Sequence, residues 1–371
     1  MEFNCSKRKK IYKSIVSFIK KEKNDSIRSS FRIGKKLGEG VQGIVYKAHI
    51  KNKQKEENPI VLKRSTISND EYLLKNKMFS KKTLQLPPYI ELACLTLVSE
   101  LVLQRICPNF TLNYHNEILN TCNKEPSISR RKHCTIQYNE YVNYGTFEDW
   151  ASKTHKQELW YNAIFQILAA LYAMHKYYNL FHNDFHGRNV LVQKIKPGGY
   201  WIYIIDGIRY YVPNLGFVFL ISDFGFGWIP NVMYPEWYIR KNIKHYSLLD
   251  SMGTKLTTQS RLTWDIYKLK KITIDPLLKI SKKIPTYFKE QFLGILDILV
   301  TSNEENTTIG DIINILYGSI IVSKNECNDY PNYCYNVKKF TNGTRIDTYN
   351  MDKKLDPKNI PLNLSKLITI Y

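Results

Sequence analysis

The stretch His182-Asn183-Asp184-Phe185-His186-Gly187-Arg188-Asn189-Val190-Leu191-Val192 constrains this chain more than any other. A helical apolar pattern from Trp160 to Tyr178, carried by Ile164, Phe165, Ile167, Leu168, Leu171 and Tyr172, leads into it, and an apolar strand leaves it. Between these elements a carboxylate, Asp184, stands five residues before a carboxamide, Asn189. The carboxylate can take a proton from a hydroxyl, and the amide oxygen can hold a hard cation. The alternative is a plain polar turn between helix and strand. His175, late in the helix, reads as surface or packing.

The segments upstream decide between these readings. Phe31 to Tyr46 reads as strand, turn, strand, with Gly38-Glu39-Gly40-Val41-Gln42-Gly43 as the turn and Ile44-Val45-Tyr46-Lys47-Ala48 after it. The same glycine spacing occurs in dinucleotide-binding folds, but there it opens a helix. Here glycines would let the backbone approach phosphates, and Val45 would cover a base. Pro59-Ile60-Val61-Leu62-Lys63 is an apolar strand holding a lysine, which is costly unless paired. A helix beginning at Pro87-Pro88 and ending near Cys107-Pro108 offers two partners, Glu91 and Glu100. Glu91 is preferred for its small and apolar neighbours and its shorter separation from Lys63, which leaves Glu100 as a solvated or capping carboxylate. Residues 111–133 are mixed and polar. A strand over Cys134–Val142 then runs into Asn143-Tyr144-Gly145, as a hinge would, and the backbone of Glu140 and Val142 could bond an adenine edge. Residues 193–220 have hairpin character, and the strand Phe217–Ile221 ends at Ser222-Asp223-Phe224-Gly225, a second carboxylate suited to a metal.

In this order, residues from about Phe31 to Tyr267 resemble the eukaryotic-type protein kinase superfamily, and more particularly the divergent serine/threonine kinases of large DNA viruses. The loop and the following hairpin are also similar to those of haspin-type kinases. The resemblance implies an α+β, two-lobed fold, with a β-rich N-lobe over 31–142 and a mainly helical C-lobe over 143–371 that includes the hairpin insertion 193–220 and a C-terminal tail. It implies ATP and Mg2+. Gly38, Glu39, Gly40 and Gly43 would cover the phosphates, and Lys63 would hold them while pairing with Glu91. Asp184 would be the base, Asn189 and Asp223 would carry magnesium, and His182 would brace the loop beneath Asp223. Three departures matter. Asn183 replaces the usual Arg, which puts control by activation-segment phosphorylation in doubt. His186 replaces the usual Lys, as in aminoglycoside and choline phosphotransferases. Met233-Tyr234-Pro235-Glu236 stands early, with no clear Ala-Pro-Glu after it. Asp265 would either accept backbone N–H bonds from the loop or be a solvated helix acid. Residues 275–340 read as further helices, and the tail packs through Ile360, Leu362, Leu364, Leu367 and Ile368.

Charge and cysteines bound the rest. The net charge of +21 favours acidic protein substrates, with nucleic acid or virion components as further contacts; a solvated lysine-rich surface is the alternative. Residues 1–30 form a basic extension whose apolar positions Ile11, Tyr12, Ile15, Val16 and Ile19 fit a helix packed on the body, with a nucleic-acid anchor as the sharper reading. The start lacks the apolar core of a signal peptide, and no apolar run reaches a membrane span. The chain is therefore expected to be intracellular, in a host cytoplasm or a virion. The seven cysteines lack zinc spacing and read as reduced thiols; a metal at Cys122, His133 and Cys134 is disfavoured. The function expected is transfer of the γ-phosphoryl group of ATP to Ser or Thr of proteins. Small-molecule phosphotransfer and a pseudokinase scaffold are the alternatives.

Overall fold

Five strands in the first half of the chain build one antiparallel sheet, and a largely apolar, buried helix lies against it. The computed structural model describes residues 3–21, 30–40, 43–51, 58–122, 133–153, 155–230, 232–233, 265, 269, 309–311, 313–314 and 344–367. The sheet contains β1 (Phe31–Gly40), β2 (Gly43–Ile50), β3 (Ile60–Ile67), β4 (Asn113–Leu119) and β5 (His133–Glu140), in the order β1-β2-β3-β5-β4. Register places Val45 opposite Lys63 and Lys63 opposite Gln137. Strand β4 lies in the stretch read above only as mixed and polar. Its Asn113, Asn116 and Glu117 hid the pattern, because they bond their neighbours: Asn113 and Asn116 bond each other, and Glu117 accepts from Tyr138.

Helix α1 spans Cys5–Lys21, α2 spans Asn69–Leu73 and α3 spans Pro87–Leu103. Helix α3 starts with proline, which needs no N–H partner in a first turn, and buries fourteen of its seventeen residues. A helix apolar all round belongs inside a core. Helix α4 (Phe147–Ala151) is started by a capping box of Thr146 and Asp149. Helix α5 (Gln157–Tyr178) is stopped by Asn179 in the left-handed conformation, φ 49°.

Two three-stranded sheets follow. In one, β10 (Phe217–Ile221) and β6 (Gly145–Thr146) flank β7 (Val190–Lys194). In the other, β8 (Tyr200–Ile205) pairs antiparallel with β9 (Ile208–Pro213) and parallel with β11 (Arg345–Asn350). The fold is thus mixed α+β with largely antiparallel sheets. Strand β11 lies in the tail, ahead of the apolar positions that the sequence marks for packing. Ile360 and Leu364 are buried as expected, but Leu362, in the final short helix α6 (Leu362–Ser365), is 65% exposed. Most of 275–340, Tyr234–Glu236 and Ile368 lie outside the described residues.

The cysteine reading needs one correction. Cys122 and Cys134 form a disulfide, because Cys134 pairs with Leu119 at the end of β4 and the chain turns back toward it three residues later. Neither sulfur is free for a metal; His133 meets Asn69 at 3.2 Å and stacks on Tyr72. Cys5, Cys94 and Cys107 are free, buried thiols.

Candidate active site

Lys63 projects from the middle of β3, where its aliphatic stem is buried and its ammonium must find anions. It finds two: Glu91 Oε1 on α3 at 2.6 Å and Asp223 Oδ1 beyond β10 at 3.0 Å. Burial alone would drive the ammonium toward neutrality, but Asp223 and Glu91 together hold its pKa above the ordinary lysine value. Burial raises the Glu91 carboxyl, and Lys63 offsets this only in part. Burial would also raise Asp223, but Lys63, with His182 and His186, keeps it below the usual range. The neighbours account for the difference: Asp223 raises Glu91 further, whereas His182 and His186 lower Asp223, whose side chain is 38% exposed against 4% for Glu91. Glu100, the competing acid, is neither solvated nor a cap. It is buried and accepts from Gln104 and Asn359.

The loop from His182 to Asn189 is fixed from three sides. Asp265, fully buried, accepts the N–H of His182 at 2.9 Å and of Asn183 at 3.1 Å, and meets His175 Nε2 at 3.3 Å. Of the two readings of Asp265, the structure holds the loop anchor, and His175 packs against that anchor. His182 Nε2 lies 3.0 Å from the Ser222 carbonyl, directly before Asp223. Asn183 donates its side-chain amide to the Phe226 carbonyl at 3.0 Å, tying the loop to the segment after Asp-Phe-Gly. Asn183 and Asp223 both have φ of 62°, a left-handed conformation that costs of order 1 kcal/mol or more per residue and persists only where neighbours enforce it.

Asn189 donates Nδ2 to the Asp184 carbonyl at 2.9 Å, so its Oδ1 is the atom left for a cation. Its own carbonyl receives Ser222 N at 2.9 Å and Ser222 Oγ at 3.1 Å. An unbroken chain of bonds thus runs from Asp184 through Asn189 and Ser222 to Asp223, Lys63 and Glu91. His186 Nε2 stands 3.7 Å from Asp184 Oδ2. Among the described residues no group of three or more His, Cys, Asp or Glu could hold a metal by itself. One carboxylate and one amide oxygen suit a magnesium ion that completes its shell with phosphate and water.

The glycine turn lies at the free end of the β1–β2 hairpin, with Gly38 opposite Val45, Glu39 opposite Ile44 and Gly40 opposite Gly43. Val41 and Gln42 are outside the described residues. Gly43 is required by space: a Cβ there would lie 2.0 Å from the Arg64 carbonyl oxygen. Gly38 has nothing within 4 Å, so its missing side chain leaves open room. The side chain of Glu39 turns outward to Lys36.

At the other end of the sheet, Glu140 N donates to Leu112 O at 2.8 Å, so that donor is already used. The connection continues through Val142, whose N–H has no partner among the described residues, to Asn143, which is bonded to Gln193 and Lys194. The Glu140 side chain does something the sequence did not suggest. It receives the guanidinium of Arg8 from α1, at 2.9 Å from Nε and 2.5 Å from an Nη atom. The signal was present but overlooked. Ile19, Ile15, Arg8 and Cys5 are the four buried residues of α1, so the packed stripe continues one turn further back than the apolar residues show.

No family model matches the chain. Curated relatives do. A protein of Invertebrate iridescent virus 6, named as a probable serine/threonine-protein kinase, is 31% identical over 200 residues, which is 52% of this chain and 35% of that one. A Frog virus 3 (isolate Goorha) protein, named as a candidate serine/threonine-protein kinase, is 35% identical over 66 residues, 17% of this chain and 8% of that one. An uncharacterized protein of Invertebrate iridescent virus 3 is 28% identical over 150 residues, 38% of this chain and 20% of that one. The chain therefore spans about a third or less of the length of these relatives. The similarity supports a viral kinase-like family. No helix among the described residues is long and apolar enough to cross a membrane.

Proposed function

We propose that this chain is a two-lobed, ATP-dependent protein kinase that transfers the γ-phosphoryl group to Ser or Thr of protein substrates. The observation that carries the reading is Lys63 held between Glu91 and Asp223, next to a loop in which Asp184 and Asn189 are bonded to each other. In this reading the five-stranded sheet and α3 form the first lobe, and the chain from 143 onward forms the second.

Each residue then has a physical task. Lys63, kept charged and aimed by Glu91, neutralises phosphate oxygens. The hairpin carrying Gly38, Gly40 and Gly43 covers the phosphates with backbone N–H groups, and Val45 lies over the base. The Glu140–Val142 connection offers Val142 N–H to the purine edge. Asn189 Oδ1 and Asp223 would hold Mg2+, which supplies charge neutralisation along the phosphates when bound. Asp184 takes the proton of the attacking hydroxyl. His182 and Asp265 keep that carboxylate oriented, so the protein contributes positioning and electrostatics rather than covalent chemistry. Asn183, occupied with Phe226 O, has no charge to offer a phosphorylated activation segment, so activity should survive phosphatase treatment.

The basic surface favours acidic protein substrates, whose apparent affinity should fall with salt as charges are screened. A second reading has one specific support: His186 stands beside Asp184, as in small-molecule phosphotransferases. Incubation with labelled ATP, magnesium and a panel of acidic and basic proteins beside small alcohols separates the readings. Labelled acidic proteins are the expected result. Labelled alcohols with no labelled protein would favour the second reading, and no transfer at all would leave a pseudokinase.

A further inference from the structure

The buried pair of Arg8 and Glu140 has no task in the chemistry above, and it stands where the adenine-side connection begins. We infer that Arg8 is a positioning residue for nucleotide binding, holding the Glu140–Val142 connection and the strand leading to Asp223 in one fixed relation. The inference rests on the kinase reading of those two segments.

The geometry is that of a staple through three layers. The Arg8 fork meets both Glu140 carboxylate oxygens. Its Nη atoms also donate to the carbonyls of Pro108 and Phe110, each at 2.6 Å. Between those carbonyls lies Asn109, whose own carbonyl receives Ile221 N at 2.9 Å, and Thr111 N reaches Ile221 O at 3.4 Å. Ile221 ends β10, two residues before Asp223. On the opposite side the same segment holds Glu140 twice more, through Glu140 N to Leu112 O and through Leu112 N to the Glu140 carboxylate at 3.1 Å. Residues 108–112 are therefore a middle layer, with the purine-side connection on one face and the metal-side strand on the other.

Attachment of α1 does not by itself call for a buried arginine. Ile15 and Ile19 supply apolar burial, Cys5 N donates to Asp347 at 2.8 Å, and Arg105 donates to Ser6 at 2.6 Å. A buried ion pair is often no more stabilising than apolar side chains of the same volume, so it is better explained by the geometry it imposes. The Arg8 side chain is 4% exposed and that of Glu140 15%, and Arg8 makes four bonds to three partners. A lysine, with one nitrogen and no planar fork, cannot satisfy these acceptors together.

The test compares Glu140→Gln and Arg8→Lys with Arg105→Ala, a control that weakens α1 docking away from the staple. Binding of magnesium–ATP is titrated, and kcat and KM for ATP are measured on the full chain. Expected is a rise of about tenfold in KM and Kd for ATP in both staple variants, as loss of a charged hydrogen bond implies, with kcat changed less than about threefold. Arg105→Ala should match the unaltered protein. Unchanged ATP affinity in folded Glu140→Gln overturns the inference, and so does an equal rise in Arg105→Ala, which would make the effect one of helix docking alone. If Arg8→Lys does not fold, Glu140→Gln, which keeps both carbonyl bonds, decides. Failure of the unaltered chain to bind magnesium–ATP would defeat the kinase reading itself. Normal binding by the unaltered chain with Glu140→Gln unmoved defeats the staple alone.

Discussion

The glycine hairpin and the loop carrying Asp184 are both proposed to meet the phosphates, yet they are built in opposite ways. From Arg32 to Glu39 every residue of β1 is exposed, and the strand lies at the sheet edge, paired on one side with β2. The loop from His182 to Asn189 is held by Asp265, Ser222 and Phe226 through side chains and backbone alike. A cover over a nucleotide must open for exchange, so weak tethering suits it. A base must stand still relative to an attacking hydroxyl, and an ångström of misplacement can cost on the order of a hundredfold in rate. Local stability therefore follows the task of each element.

Substitutions can break or sharpen this contrast. The largest effect is expected from Asp184→Asn, which keeps the loop's shape and removes the proton acceptor. Phosphoryl transfer should fall on the order of 10²- to 10⁴-fold, with magnesium–ATP affinity retained. A transfer assay beside a binding titration checks this, and unaltered turnover would remove Asp184 from its proposed role. Next comes Asp265→Asn. An amide can accept from only one of the two backbone N–H groups and turns a donor toward the other, so denaturant unfolding should show a loss of about 1–3 kcal/mol.

Within the hairpin, two glycines should behave differently. Gly43→Ala forces a methyl group onto the Arg64 carbonyl and should cost about 1–3 kcal/mol as the strands part, with a matching rise in KM for ATP. Gly38→Ala meets open space and should stay within about 0.5 kcal/mol of the unaltered protein. Equal effects at both positions would contradict the close approach seen at Gly43. The smallest effect concerns pH. The Asp223 carboxyl lies below its usual range because Lys63 outweighs burial, so its contribution to stability is present above the ordinary carboxylate value of about 3.9 and is lost as pH falls through the lowered one. The difference in Tm between the unaltered protein and Asp223→Asn should therefore be steady near neutrality and shrink only in acid.

What the sequence made legible follows from the range of the forces involved. The glycine turn, Lys63, Asp184, Asn189 and Asp223 sit in strand and loop patterns a few residues long, and the choice of Glu91 over Glu100 on α3 needed only its local neighbours and its shorter separation from Lys63. Strand β4 was hidden because its polar residues are satisfied by side chains of the same strand and of β5, so no alternation marked it. The Cys122–Cys134 bond depends on a register between strands that no local pattern displays. The helix over residues 1–30 was legible from its apolar positions, but Arg8 was not marked among them, because the acceptors that bury it lie 100 to 132 positions away.

The bond from Cys5 N to Asp347 joins positions 342 apart, and β11 reaches β8 only after some hundred and forty intervening residues have been made. Polypeptides grow at about 5–20 residues per second, so roughly 20–70 s pass between the emergence of Cys5 and that of its partner. During that interval the first helix is present but cannot complete its dock, and the outer edge of β8 has no strand to cover it. A nascent chain of this protein therefore carries an open edge on β8 until residues 345–350 leave the ribosome. Slower translation between β8 and β11 lengthens the time for which that edge stays open to other strands.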